Sequence, residues 1–344
     1  MARLVLCTFL LIPAVVSAAD FNMDVKTDGI TLGDHLMGPK VSPGDLKGHV
    51  VVLEFWGIRC GPCLAAMPHI AKLNDDLGGA GLIVIGAHAQ TGTPEKVKAV
   101  ALSHGANFTI VANGRVKDGN DFNGIPHTMV FDHTGKCVYR GHPNDAYAKV
   151  KVAVGQALAA KVEGPPTKAM TPLVEGLKKG TAPSVALQKA LALSKTGDKD
   201  SVEQAKQLVS AMTATAEKQL EFVTALKADD PVLALPRLSK LSADFKGTPP
   251  GAKAGEMLAE LKKDKNVMAE LRCRPVLDKI KIVDDSLLAA LKDADPKAPE
   301  FQKAQAGVLK QMQTAIRDMK KKYPDAKATA SAIEIGEKYG LNLK

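Results

Sequence analysis

The apolar positions divide the chain into two unlike halves. Val50-Val51-Val52-Leu53-Glu54-Phe55 is a run of β-branched and apolar residues with one carboxylate, the pattern of a strand buried on both faces. Gly81-Leu82-Ile83-Val84-Ile85-Gly86 repeats that pattern, and Phe108-Thr109-Ile110-Val111 and residues 125–132 read as two shorter strands. His133-Thr134-Gly135 predicts a turn into Cys137-Val138-Tyr139-Arg140, which closes a hairpin. Between the strands, Leu64, Met67, Ile70, Ala71 and Leu73 recur at helical spacing after Cys60-Gly61-Pro62-Cys63, with Pro68 expected to kink that helix. Thr93-Pro94-Glu95 caps a helix running to about His104-Gly105, and Asn144-Asp145 opens one that ends near Ala160. The order β-α-β-α-β-β-α, parallel strands and then a hairpin, predicts an α/β domain with a central mixed sheet flanked by helices. Residues 20–50 predict only a lead-in with a weak hairpin, Ile30-Thr31-Leu32 and then the stretch from Pro39 to Gly48.

After a Gly164-Pro165-Pro166 linker, spanning Lys161 to Thr171, the period changes to helix throughout. Ala, Leu, Met and Lys recur at helical spacing, and Asp200-Ser201, Asp230-Pro231, Pro249-Pro250 and Asp295-Pro296 mark helix starts. About seven helices are expected. A faint echo between residues 245–258 and 323–335 (an aromatic, a Pro or Gly turn, then Ala-Lys-Ala) suggests a tetratricopeptide-like arrangement. The expected organisation is a signal peptide over 1–19, an α/β domain over 20–160, a linker over 161–171 and an all-helical domain over 172–344.

Charge sharpens the division. Residues before 161 hold 14 Lys and Arg against 13 Asp and Glu, and the remainder holds 32 against 24. That basic excess is spread along helical faces with few aromatics, so nucleic-acid binding is not expected. An apolar content of 45% with 24% charged residues excludes a disordered or polytopic membrane chain. Arg3, the apolar run Leu4–Val16 and Ser17-Ala18-Ala19 have the form of a signal peptide, too short and too interrupted by Pro13 to span a bilayer. The mature chain is therefore expected to be exported, periplasmic or secreted, with no membrane span; an uncleaved anchor is the alternative.

Five cysteines are present, and two of them carry a chemical signal. Cys60 and Cys63 follow a strand directly and open a helix. Unpaired N–H groups and the helix dipole place partial positive charge there, which stabilises a thiolate and lowers a thiol pKa below the free value of ~8.5. One helical turn brings the second sulfur within reach of the first. A zinc site would need two further ligands, and Cys137 and Cys273 stand alone. A purely structural disulfide would close too small a loop to constrain much. A redox pair needing no cofactor and no metal is the reading that uses both residues. Cys137 and Cys273 are expected to be isolated from each other.

Glu54 to Cys63, followed by Met67-Pro68, resembles the active-site segment of the thioredoxin superfamily, with the exported TlpA/ResA-like thiol–disulfide oxidoreductases as the nearest branch. Lys40 to Gly48 resembles the short strand and loop of that branch, and Gly124-Ile125-Pro126-His127-Thr128 its cis-proline loop. The resemblance covers about residues 25–158 and does not extend to the helical half. It implies a thioredoxin-like fold in which Cys60 is the exposed nucleophile and Cys63 the buried resolving thiol. It further implies that Pro126 is cis and positions Ile125 to pair with an extended substrate segment, and that Glu54 is a buried carboxylate with a raised pKa that moves the Cys63 proton. A solvent-facing Glu54 at the strand end is the alternative. Trp56, Arg59 and Ile125 are the expected substrate contacts. Two positions depart from the family pattern: Arg59 stands where a bulky residue is usual, and Ala66 where reducing relatives often carry Glu. His69 and His127 are expected near the site as surface histidines. The implied activity is reduction or exchange of protein disulfides, with an upstream electron donor as second partner. The competing reading is a binding or scaffold protein whose helical half recruits a partner. A thiol peroxidase would want Thr where Ile58 stands.

Overall fold

The structure is a computed structural model describing residues 21–291 and 295–344; the expected signal segment lies outside those residues. The first half contains β1 (Ile30–Thr31), β2 (Asp34–Met37), β3 (Val50–Trp56), α1 (Gly61–Leu77), β4 (Leu82–His88), α2 (Pro94–Ser103), β5 (Thr109–Ala112), β6 (Arg115–Val116), β7 (His127–Phe131), β8 (Cys137–Gly141) and α3 (Pro143–Ala159). Six strands form one sheet in the order β2-β5-β4-β3-β7-β8. The central β3, β4 and β5 are parallel, while β7 and β8 close one edge antiparallel and β2 the other. This is the expected thioredoxin-like mixed sheet.

Strand β3 is buried along its whole length because both faces of the sheet are covered. Val50, Val52 and Trp56 pack with Met67, Ile70 and Leu73 of α1 and Val150 and Val154 of α3. Val51, Leu53 and Phe55 face the other way, against Val25, Ile30, Leu46 and Val116. The lead-in thus supplies half the cover of the sheet, and it does so without the expected hairpin. β1 pairs with β6 and β2 with β5, both across the chain rather than with each other. The tight passage at Gly33 permits this: its φ is +72°, and a Cβ there would lie 2.0 Å from the Ala112 carbonyl oxygen. Helix α1 runs unbroken through Pro68.

The second half holds α4 (Thr171–Lys178), α5 (Pro183–Thr196), α6 (Lys199–Asp229), α7 (Pro231–Asp244), α8 (Pro249–Lys263), α9 (Lys265–Leu291), α10 (Pro299–Ala304), α11 (Ala306–Lys322) and α12 (Lys327–Lys338). Among the described residues, seven of these have twelve residues or more and two are shorter. Asp230 caps α7 by accepting from the N–H groups of Val232 and Leu233, and Thr248 caps α8. Two start signals are displaced. Asp198, not Asp200, caps α6, and Asp295-Pro296 forms a turn three residues ahead of α10.

The helical half does not hang from a free linker. Gln204 donates to the Glu163 and Pro165 carbonyls and accepts from the Thr167 N–H, so α6 holds the 161–171 segment in place. Gly155 lets α3 approach α4 closely, for a Cβ there would lie 1.9 Å from the Leu177 carbonyl oxygen. One hydrophobic core continues from the sheet through α1 and α3 into α4 to α8, ending at Val267. A second, separate core is built by α9 to α12 from Cys273 onward. Cys137 and Cys273 are free and buried in different cores.

Candidate redox site

Strand β3 ends at Trp56, and the chain turns through Gly57 to begin α1 with a Cys60–Cys63 disulfide whose Cα atoms are 5.2 Å apart. Cys60 is the N-cap of α1: its Sγ accepts the Cys63 N–H at 3.2 Å. That bond, with the helix dipole behind it, favours a thiolate on Cys60 once the disulfide is opened. Cys60 is 7% exposed and Cys63 2%. The expected order of exposure is present, though in this oxidised form Cys60 shows only an edge rather than an open sulfur.

The facing wall comes from β7. Its register against β3, Glu54 opposite Thr128 and Phe55 opposite His127, brings the Ile125–Pro126 peptide, which is cis, beside the disulfide. The Ile125 carbonyl oxygen lies 3.5 Å from Cys60 Sγ. Ile125 is half-buried and offers its backbone on this edge.

Glu54 lies on the α1 side of β3, between Val52 and Trp56, and is buried. The solvent-facing alternative does not hold. The Thr128 hydroxyl donates to Glu54 Oε2. Burial pushes the Glu54 carboxyl up to about 8, only partly opposed by that hydrogen bond. Thr128 was not singled out by sequence; its place directly opposite Glu54 shows in the strand register alone.

Three expected residues are placed differently from the sequence reading. Trp56 is 1% exposed and packs edge-on against His88 at 5.2 Å, so it supports the site from below and offers no surface to a substrate. Arg59 is exposed but held by side-chain and backbone hydrogen bonds. Its guanidinium donates to the carbonyl and hydroxyl of Thr91, and its N–H to Gln90 Oε1, which tethers the cysteine loop to the β4–α2 loop. His127 is 3% exposed rather than a surface residue, its ring stacked on Phe122 at 4.3 Å and 3.5 Å from an Arg140 nitrogen. Burial and then the Arg140 charge hold its pKa down at about 4, so it is neutral at physiological pH. Alternation along β7 hides it: apolar residues flank a polar one that has aromatic neighbours from a distant loop. His69 is exposed, as expected. Among the described residues, no three His, Cys, Asp or Glu side chains converge on a possible metal position, and no helix is long and apolar enough to cross a membrane.

Residues 18–155 match the Redoxin family. The similarity is to thioredoxin-superfamily proteins and is confined to this half of the chain. Within it, 103 residues are 29% identical to the thiol-disulfide oxidoreductase ResA of Bacillus subtilis, covering 29% of this chain and 57% of that one. The ResA of Halalkalibacterium halodurans is 31% identical over 108 residues, covering 30% and 60%. The chain therefore spans less than two thirds of these relatives. A solved structure of the thioredoxin domain of a thiol-disulfide oxidoreductase from Bacteroides vulgatus is 23% identical, covers 36% of this chain and 91% of its own, and has a TM-score of 0.31. None of these matches reaches the helical half.

Proposed function

We propose that the chain is an exported thiol–disulfide oxidoreductase that reduces protein disulfides through Cys60 and Cys63. The observation that carries this reading is the Cys60–Cys63 disulfide at the mouth of α1, facing the cis Ile125–Pro126 peptide above a buried Glu54. The similarity to ResA supports it, as does the form of Met1–Ala19 for export.

The reaction starts from the dithiol. The Cys60 thiolate, held by the Cys63 N–H, attacks one sulfur of the substrate disulfide and releases the other as a thiolate. The substrate segment pairs with the Ile125 backbone in an extended form. Cys63 then loses its proton to the ionised fraction of Glu54 and attacks Cys60 Sγ. The Cys60–substrate bond breaks, the second substrate thiolate leaves, and the two electrons delivered are those that leave Cys60 and Cys63 oxidised. A carboxyl near pH 8 suits both halves of this exchange, accepting the proton in one direction and returning it in the other. An upstream dithiol must restore the pair.

Insulin reduction by the purified full chain tests the assignment, with Cys60→Ser and Cys63→Ser as controls. The first variant should lose turnover; the second should accumulate a mixed disulfide that mass spectrometry detects. Turnover surviving both substitutions would remove the redox function.

A further inference from the structure

Beside the cysteine pair, at the carboxyl ends of β4 and β5, lies an open cleft of about 570 Å³. In open sheets with parallel strands, this is the end at which ligands are bound. It lies on the opposite side of β3 from the cis-proline loop, so the chemistry described above leaves it unused. His88, Gln90, Thr91, Asn113 and Arg115 give it a polar lining, and no carboxylate lines it. Asp34, opposite Ala112, and Glu95, in the first turn of α2, are exposed and outside the lining.

Several features here favour negative charge. The N-terminus of α2 opens at the rim through Thr93 and Pro94, with its dipole adding partial positive charge. Arg115 is exposed on the opposite wall, and the Arg59 guanidinium is fixed on Thr91 at the boundary with Cys60. The independent sign of a ligand is His88. It is 3% exposed, lines the cleft, and its Nε2 has no hydrogen-bond partner among the described residues. A buried polar atom without a partner costs roughly 1–3 kcal/mol, which a bound group relieves. Gly92 leaves the ring reachable: its missing side chain would sit 3.7 Å from His88 Cε1. Burial, with the Arg59 charge adding to it, holds the imidazole neutral, so in its Nε2–H form it donates a hydrogen bond without losing a proton.

We propose that this cleft is a carboxylate subsite that recognises an acidic side chain next to the disulfide in the substrate, with Arg115 supplying charge and His88 Nε2 a hydrogen bond. The tether from Arg59 to Thr91 makes the subsite contiguous with Cys60, so a chain that presents its sulfur to Cys60 crosses the cleft on one side and the Ile125 edge on the other. The proposal rests on the oxidoreductase reading and narrows it to acidic segments as the preferred substrate class.

Two peptide disulfides identical but for Glu or Gln beside the cysteine test it on the full chain. Each rate is divided by the same protein's rate on hydroxyethyl disulfide, which carries no charge. The wild type should favour the Glu peptide about tenfold in kcat/KM at low salt, which is about 1.4 kcal/mol, and 0.5 M salt should shrink the preference. Arg115→Gln, at an exposed position, should reduce the ratio to near one, and His88→Phe, which keeps the ring against Trp56, should lower it severalfold. Equal rates for the two peptides in the wild type, or a preference that survives Arg115→Gln, overturn the subsite. If hydroxyethyl disulfide is not reduced at all, the redox function itself fails. The subsite is then decided by fluorescence anisotropy with the same peptides carrying serine for cysteine: a tighter Glu peptide sustains it, and equal affinities overturn it.

Discussion

Replacing Glu54 with Gln separates what that residue costs the fold from what it does in the reaction. The carboxyl titrates at 4.5 in an ordinary setting and at about 8 in the folded protein. Below pH 4.5 it is protonated in both states and carries no penalty. As the pH rises from 4.5 to 8, the unfolded chain releases a proton that the folded protein keeps, so stability is lost across that window. At about 1.4 kcal/mol per unit, the loss at pH 7 approaches about 3 kcal/mol. Gln keeps the shape and can still accept from Thr128, but it buries an amide NH₂ whose missing partner costs about 1–2 kcal/mol. Glu54→Gln should therefore be the more stable protein by about 1–2 kcal/mol at pH 7, and the less stable one below pH 4.5. Urea denaturation of the two oxidised proteins at pH 4, 5.5, 7 and 8.5 reads the difference directly, since every other titrating group cancels. In stopped-flow reduction of a peptide disulfide, the same variant should slow release of the mixed disulfide ~10²-fold while the first attack by Cys60 is little changed. Parallel stability curves would show that Glu54 is not held protonated, and equal release rates would return the Cys63 proton to water.

Four further outcomes follow from the same geometry. His127 has the opposite sign: held near 4 against an ordinary 6.5, it should take about 3 kcal/mol of stability away as pH falls from 6.5 to 4, and urea curves of His127→Gln should lack that acid limb. Arg237, buried and 3.4 Å from Asp75, joins α7 to α1; Arg237→Met should cost about 2 kcal/mol in urea denaturation, with Asp75→Asn in the same chain recovering part of it. Brief iodoacetamide treatment of reduced protein should label Cys60 first by mass spectrometry, because burial removes Cys137 and Cys273 from solvent and pushes their thiols up. A chain ended after Glu270 should fold and retain thiol exchange, whereas one ended after Met170 should aggregate, as circular dichroism and size-exclusion chromatography would show.

The residues near the cysteines were legible because their signals are local. A both-faces-buried strand, a helix start and a Cys-Gly-Pro-Cys segment sit within fourteen residues, and the cis-proline segment carries its own pattern. The buried place of Glu54 was implied by the resemblance alone, and its position on the helix side with Val52 and Trp56 comes from the packing. What was not legible depends on partners far along the chain. The burial of His127 needs Phe122 and Arg140, and the position of Arg59 needs a loop 31 or 32 residues away. The β1–β6 pair joins distant segments, where local turn chemistry would have folded β1 onto the stretch that follows it. Trp56 is the instructive case. Its motif marks it as part of the site, yet its apolar ring on a strand buried on both faces makes it a floor, and only packing distinguishes floor from surface.

The shared core also changes what the helical half can be. Helix α1 carries the cysteines at its start and the attachment of the helices at its end, where Asp75 meets Arg237 and Asp76 meets Lys240 and the Tyr147 hydroxyl. Thr215 of α6 donates to the Gly79 carbonyl directly after α1, and Phe245 lies against Gly79. Helices α4 to α8 therefore clamp the far end of the helix whose near end does the chemistry. Removing them would uncover Leu77, Ala80 and Leu158, which are buried in the core shared with these helices, so loss of exchange in that truncation would report unfolding rather than a lost partner site. A recruiting role independent of the fold has to reside in α9 to α12, the part with its own core. That unit leaves Ile282 and Leu288 of α9 exposed, and a cut after Glu270, which keeps Val267, removes most of it without opening the first core. The two truncations would therefore divide the helical half: α4 to α8 share the core of the first half, and the part after Glu270 is where a separate role would have to lie.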